Sequence, residues 1–299
     1  MFVGDVPFGS QYRLGDLVGR GAMGRVHIAS SADTDGPVAI KLLRDDLASQ
    51  PEIVGRFLQE SYVLRSVNHP NVVMIHDLVA ESGRLGIVMD YVNGGDLRSA
   101  VPFPTYANDA LHIVAQIAAG LSAVHDAGIV HRDLKPENVL ADWSDERLRL
   151  KITDFGVSRL MAQATRTTSL IGTPVYMAPE VADGSPPTPS VDVYALGVIL
   201  FEALTGRLPF SADSHYALVR AHMEDPVPRP IGLPDDVWQL LASMLAKTPN
   251  ARPTAHDVAR TAHDLARTVG DIGPFAVPER QTTEIRRRPT HHTLSLIHI

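Results

Sequence analysis

The sequence predicts an α+β fold of two unequal lobes: a small lobe of five strands and one helix, then a larger, mainly helical lobe. Two observations carry this. Short apolar runs bounded by Gly, Asp and Asn are confined to the residues before Asn93, and long periodic apolar runs dominate after it. Such segregation of strands from helices marks an α+β chain. Between the two patterns, Asn93-Gly94-Gly95 supplies a break.

Taken in order, residues from about Tyr12 to Leu43 read as three short strands separated by Gly-rich and Asp/Gly turns. Pro51 to Val67 reads as a helix, with Phe57, Leu64 and Val67 on one side. Val72 to Val79 and Leu85 to Met89 complete the five strands. Ala107 to His125 is a long Ala-rich helix. Val191 to Thr205, Ala212 to Glu224, Asp235 to Leu245 and Ala255 to Val269 are further helices, punctuated by Pro and Gly as in Gly184-Ser185-Pro186-Pro187. The small lobe is thus 1–92 and the large lobe 93–270.

Residues 271–299 are polar, with Pro274, Pro278, Pro289 and the run Arg286-Arg287-Arg288, the composition of a disordered tail. The final six, Leu294-Ser295-Leu296-Ile297-His298-Ile299, can be encoded by CTG-TCT-CTT-ATA-CAC-ATC, which resembles a transposon-type sequencing adapter. The natural chain is therefore expected to continue beyond this point.

Composition narrows the function classes. Hydrophobic content of 44% and charged content of 20% indicate an ordinary globular protein. The net charge of −7 argues against nucleic-acid binding through bulk electrostatics. The absence of Cys excludes disulfides, thiolate catalysis and a Cys-based zinc site. The best apolar stretch, Val193 to Leu204, is too short for a bilayer and contains Glu202. Met1-Phe2-Val3-Gly4-Asp5 lacks the basic and apolar regions of a signal peptide, so a cytoplasmic location is the default expectation.

The chemistry is concentrated in His131-Arg132-Asp133-Leu134-Lys135-Pro136-Glu137-Asn138. Asp133 can accept a hydroxyl proton, Lys135 can neutralise phosphate charge and Asn138 can bind a divalent metal. Phosphoryl transfer needs these three roles, because its catalysis is mostly positioning and charge stabilisation. Asp154-Phe155-Gly156 lies sixteen residues after Asn138, at the end of the strand Leu148 to Ile152. A carboxylate there, followed by a Gly hinge, suits a metal ligand on a movable segment.

Upstream, Gly19-Arg20-Gly21-Ala22-Met23-Gly24-Arg25-Val26 contains G-x-G-x-x-G, and the strand pattern Val26-His27-Ile28-Ala29 follows it. A dinucleotide fingerprint would open a helix instead. Glycines in a strand-turn-strand let backbone N–H groups approach phosphates without Cβ clashes. In Val38-Ala39-Ile40-Lys41, alternation puts Ala39 and Lys41 on one strand face, a small apolar residue beside a cation.

Together these motifs resemble the catalytic domain of Ser/Thr protein kinases of the bacterial, eukaryotic-like type, similar to the receptor-like kinases of actinobacteria. The resemblance covers about Tyr12 to Val269. It implies the bilobal kinase fold with an antiparallel small-lobe sheet, ATP as phosphoryl donor, Mg2+ or Mn2+ as the metal, and protein Ser/Thr hydroxyls as acceptors. Asp133 is then the catalytic base, and Asn138 with Asp154 holds the metal. Lys41 reaches the phosphates and pairs with Glu60, Glu52 being the competing partner. Val18, Gly19, Gly21, Gly24 and Val26 cover the nucleotide. Ala39 and Leu140 touch the base, Met89 is the gatekeeper, and backbone groups of Asp90 and Val92 read the adenine edge. Asp96 either touches ribose or caps a helix.

The resemblance further implies that Lys135 marks Ser/Thr specificity and that Thr173 hydrogen-bonds Asp133 and Lys135. Glu180 pairs with Arg252, and Asp192 anchors the catalytic-loop backbone. Arg132, beside the base, matches kinases whose activation loop is ordered by phosphate. Thr165 and Thr167, then Thr168, are the expected autophosphorylation sites, and Arg56, Arg132 and Arg159 the expected phosphate pocket. Dimerisation through the small lobe is a family property, and a membrane tether would lie in the missing C-terminal part. A nucleotide-binding scaffold, a small-molecule phosphotransferase and a docking module are rivals. They fit less well, because Lys41, Asp133, Asn138, Asp154 and Lys135 are all present.

Overall fold

The structure is a computed structural model that describes residues 6–21, 24–33, 36–144, 147–155 and 174–278, the side chains of residues 56 and 60 excepted. The small lobe is one antiparallel sheet of β1 (Val6–Phe8), β2 (Tyr12–Gly21), β3 (Gly24–Ser31), β4 (Val38–Leu43), β5 (Ile75–Glu81) and β6 (Arg84–Asp90), in the order β1-β2-β3-β4-β6-β5.

The sheet has six strands rather than the expected five. The added edge strand β1 pairs Val6 with Leu14 and Phe8 with Tyr12. Three residues are too few to show a period in sequence; burial of Phe8 against Tyr12, Leu14, Ile40 and Val88 is what holds the strand. Phe8 also explains Gly86, since a Cβ there would lie 2.8 Å from the Phe8 ring. Strand β5 begins later than expected because Val72 and Val73 engage the other lobe: Val73 N–H donates to Ile152 C=O at 2.9 Å.

Helix α1 (Asp45–Ala48) is a single turn, and α2 (Pro51–Arg65) starts with Pro at its first position, where the missing N–H costs nothing. Ile53, Phe57 and Leu64 of α2 are buried, as is Val67 just beyond it.

The large lobe contains α3 (Leu97–Ala100), α4 (Ala107–Asp126), the hairpin β7 (Val139–Asp142) and β8 (Arg149–Ile152), α5 (Pro179–Ala182), α6 (Ser190–Thr205), α7 (His215–Glu224), α8 (Asp235–Met244) and α9 (Ala255–Val269). Helix α6 is buried on every side from Val191 to Thr205, which identifies it as the central strut of the lobe. Helix α4 packs against both α6 and α9. Helix α7 starts three residues later than expected, because the Ser214 hydroxyl accepts the Ala217 N–H and caps it there.

The tail expectation needs correction at its start. Ile272 C=O accepts from Ala107 N–H, Phe275 N–H donates to Leu204 C=O, and Ile231 N–H donates to Ala276 C=O. Phe275 is buried. Residues 271–278 therefore close onto the large lobe; their Pro-rich composition conceals one aromatic anchor and three backbone ties. Residues 279–299 lie outside the described residues. Among the described residues, no helix is long and apolar enough to cross a membrane.

Candidate active site

The segment from His131 to Asn138 joins α4 to β7 and is held from below by one carboxylate. Asp192, in the first turn of α6, is 1% exposed. It accepts the N–H of His131 and the N–H of Arg132, each at 2.8 Å, and His125 Nε2–H at 2.8 Å. Arg132 sits at φ +67°, a left-handed conformation that costs a non-glycine residue about 1–2 kcal/mol. The charge-assisted bonds to Asp192 offset that cost.

His131 is wholly buried and ties the loop to the strand beside it. Its Nε2 faces the Thr153 carbonyl at 2.9 Å and so must carry the proton. Nδ1 then accepts the Asp133 N–H at 3.3 Å. The ring lies 4.9 Å from that of Phe155, so one neutral histidine positions both Asp133 and the Asp154 segment.

The side chains of the loop converge on Asp133. Its Oδ2 accepts from Lys135 Nζ at 3.0 Å and from Asn138 Nδ2 at 3.1 Å. Asn138 Nδ2 also donates to the Asp133 carbonyl at 2.7 Å. This commits the amide's donors to Asp133 and leaves Oδ1 as its acceptor end. With the Asp154 carboxylate, the available donor set is oxygen alone. It suits a hard cation of the Mg2+ or Mn2+ class and contains no soft ligand.

Facing this cluster, strand β4 presents Lys41, 9% exposed, whose Nζ donates to Asp154 Oδ1 at 2.7 Å. Asp154 is itself left-handed, at φ +62°. Two non-glycine residues in this conformation, one in each half of the cluster, are the pattern of backbone strain concentrated at a working site. The described partner of Lys41 is thus Asp154; the expected partner Glu60, like Arg56, has a side chain outside the described set.

Beside Lys41 is an apolar recess. Ala39, Val73 and Met89 are buried together, with Val26, Tyr91, Val92 and Leu140 packed against them. Strand register makes this grouping: Val26 lies opposite Lys41, and Ala39 opposite Met89. Five of these seven residues were legible in the motifs. Val73 and Tyr91 were not, because an apolar residue in an apolar run carries no distinguishing signal.

Over the recess folds the β2-β3 hairpin, where Gly19 pairs with Val26 and Gly21 with Gly24. The glycines differ in what they answer to. A Cβ on Gly24 would lie 1.8 Å from the Leu42 carbonyl oxygen, so the fold itself demands glycine there. A Cβ on Gly21 would meet nothing within 4 Å. Val18, half exposed, stands at the rim.

The remaining expected residues that are described fall in three places. Asp96 caps α3, its Oδ1 accepting Ser99 N–H at 2.8 Å. The Asp90 carboxylate is held by Lys151 and His76, each at 2.9 Å. Glu180 and Arg252 form a buried bidentate pair at 2.6 and 2.8 Å. Arg159, Thr165, Thr167, Thr168 and Thr173 lie in residues 156–173, outside the described residues.

A family model described as protein kinase domain matches residues 12–263. The chain is 43% identical over 281 residues to serine/threonine-protein kinase PkaB of Streptomyces coelicolor, covering 91% of this chain and 67% of that protein. It is 42% identical over 271 residues to PkaA of the same organism, covering 85% of this chain and 50% of PkaA. To serine/threonine-protein kinase PrkC of Bacillus subtilis it is 36% identical over 257 residues, 83% of this chain and 39% of PrkC.

Proposed function

The chain belongs to the protein kinase family, as a bacterial-type Ser/Thr kinase catalytic domain, and from that membership we propose how its residues divide the work of phosphoryl transfer. The observation that carries the reading is the convergence of Lys135 and Asn138 on Asp133, opposite the Lys41–Asp154 pair.

Asp133 accepts a hydrogen bond from the acceptor Ser or Thr hydroxyl and aims its oxygen at the γ-phosphorus of ATP. The new P–O bond forms as the bond to the β-γ bridging oxygen breaks, ADP leaves, and the hydroxyl proton passes late to Asp133. Lys135 neutralises charge on the transferring group, and Lys41 draws the remaining phosphates into place. Asn138 Oδ1 and the Asp154 carboxylate would hold Mg2+, which when bound neutralises phosphate charge. Val26, Ala39, Met89 and Leu140 supply the apolar walls that favour a purine ring. Backbone groups of Asp90 and Val92 read its edge. Ribose is contacted near Asp96, whose second carboxylate oxygen is not used by the cap.

Regulation is part of the same reading. Phosphate on Thr165, Thr167 or Thr168, gathered by Arg56, Arg132 and Arg159, would couple the α2 helix, the base and the Asp154 segment. Protein substrates, a small-lobe dimer and a membrane tether outside this chain complete the proposal.

The test is incubation of purified protein with Mg-ATP and mapping of new phosphates by mass spectrometry, beside Asp133→Asn. The variant is expected to bind ATP and to transfer about 10²- to 10⁴-fold more slowly. Equal phosphate on both proteins would refute Asp133 as base. Unchanged activity of Thr165→Ala/Thr167→Ala/Thr168→Ala toward an added protein would refute the switch.

A further inference from the structure

Of the 27 lysines and arginines in the chain, only four are lysines: Lys41, Lys135, Lys151 and Lys247. All four are buried or half-buried, and arginine supplies the fully exposed charges of this kind. Three of the amines are ion-paired: Lys41 with Asp154 at 2.7 Å, Lys135 with Asp133 at 3.0 Å and Lys151 with Asp90 at 2.9 Å. Lys247 is different. Its Nζ donates to His222 C=O at 2.6 Å and lies 4.3 Å from the centre of the Phe210 ring, and no carboxylate among the described residues ion-pairs with it.

The surroundings of this amine are dry. His222, in the last turn of α7, is 2% exposed; its Nδ1 meets the Tyr194 hydroxyl at 2.9 Å, and its ring lies 4.9 Å from that of Phe210. Arg252 Nη2 donates to the Lys247 carbonyl at 3.2 Å, which brings a second cation close. Burial lowers the Lys247 amine from 10.5 to about 8; Asp225 opposes that shift and Arg252 adds to it. Phe210, Leu218 and Ala221 form a small core, and Val227 and Val175, of the turn Pro174–Tyr176, pack on it.

A purely structural cation here could be arginine, because a guanidinium would serve one carbonyl and one ring equally well. What a primary amine adds is nucleophilicity once it sheds its proton. An ion-paired amine must first leave its carboxylate, whereas Lys247 has only a neutral carbonyl to leave.

We propose that Lys247 is a modification site, the acceptor of acyl groups from small donors of the acyl phosphate or acyl thioester class. The Nζ lone pair attacks the carbonyl carbon of the donor. A C–N bond forms, the C–O bond to phosphate or the C–S bond to the thiol breaks, the leaving group departs with the electron pair, and the amine proton passes to solvent. The product is an uncharged amide. It removes the cation from the C-terminal end of α7 and adds bulk beside the core that carries Val175. Given the peptide-phosphorylating reading above, acylation weakens peptide binding and leaves nucleotide binding unchanged.

The experiment incubates the folded protein with acetyl phosphate and, separately, with acetyl-coenzyme A, and follows each lysine by site-resolved mass spectrometry. The other three lysines are controls within the same molecule. Lys247 is expected to be acetylated about tenfold faster than Lys135 or Lys151, the advantage of a desolvated amine, and to lose that lead in urea. A lead with one donor alone supports the site and identifies the source. No lead with either donor, or a lead that persists in urea, would overturn the proposal.

The consequence is read separately. Acetylated wild-type protein should show a several-fold higher peptide KM with ATP Kd unchanged, and Lys247→Arg should resist acetylation and keep the wild-type peptide KM. An unchanged peptide KM at full acetylation would refute the link to the Val175 turn. The labelling rates need no phosphoryl transfer, so their failure is distinct from a failure of the transferase reading.

Discussion

Replacing Arg252 by Ala is expected to destabilise the protein by about 3–5 kcal/mol, because it strands a buried carboxylate. The Arg252 side chain is 0% exposed and that of Glu180 is 10% exposed. One bond leaves Nε for Ala246 C=O at 2.7 Å. Two leave Nη1, for Glu180 and Ser190 C=O, and two leave Nη2, for Glu180 and Lys247 C=O. All five guanidinium N–H groups are engaged, and the cation also lies 4.8 Å from the centre of the Tyr194 ring. Lys offers three donors at a single point and cannot reproduce this fork, so Arg252→Lys should still cost about 2 kcal/mol.

For a domain of this size each kcal/mol moves Tm by about 2–4 °C, so Arg252→Ala should lower it by about 6–20 °C. Thermal and urea unfolding followed by circular dichroism would measure this, with Glu180→Leu/Arg252→Met completing a cycle. The paired apolar replacement removes both charges together and should be less damaging than Arg252→Ala alone. A loss below about 1 kcal/mol for Arg252→Ala, or a double variant whose loss equals the sum of its singles, would refute the view that the stranded charge dominates.

Two further outcomes follow from the geometry. Gly24→Ala should lower Tm and expression, since its Cβ must displace the β4 backbone, whereas Gly21→Ala should leave Tm nearly unchanged and weaken ATP binding; calorimetric Kd beside melting curves separates them, and a stable Gly24→Ala would refute the steric reading. His222, packed on Tyr194 and Phe210, is lowered from 6.5 to about 4 by burial first and the Lys247 ammonium second. Between those values the unfolded chain binds the extra proton, so stability falls as pH drops from 6.5 to about 4, and the penalty is complete below that. His222→Gln should flatten Tm against pH in this window; an unchanged slope would discard the assignment.

Much of the fold and of the candidate site is legible in the sequence, for a local reason. Phosphoryl transfer demands particular residue types at short spacings, and Asp133, Lys135, Asn138 and Asp154 occur within twenty-two residues. Strand alternation likewise placed Ala39 and Lys41 on one face, and helical period located α2, α4, α6, α8 and α9 to within a few residues.

Tertiary structure decided what depends on partners distant in sequence. Whether Phe8 makes a strand depends on Gly86 and Val88; whether residues 271–278 are tail or lobe depends on Ala107, Leu204 and Ile231. The pairing of Lys41 with Asp154 spans 113 residues, and the tautomer of His131 is set by Thr153. Arg98 is the clearest case. In sequence it is one more helical arginine, and only the folding of α3, the catalytic loop, the Tyr176 turn and α6 onto one point places it between two carboxylates and a phenol. Local chemistry is written in adjacent residues, whereas burial and charge pairing exist only once distant segments share a volume.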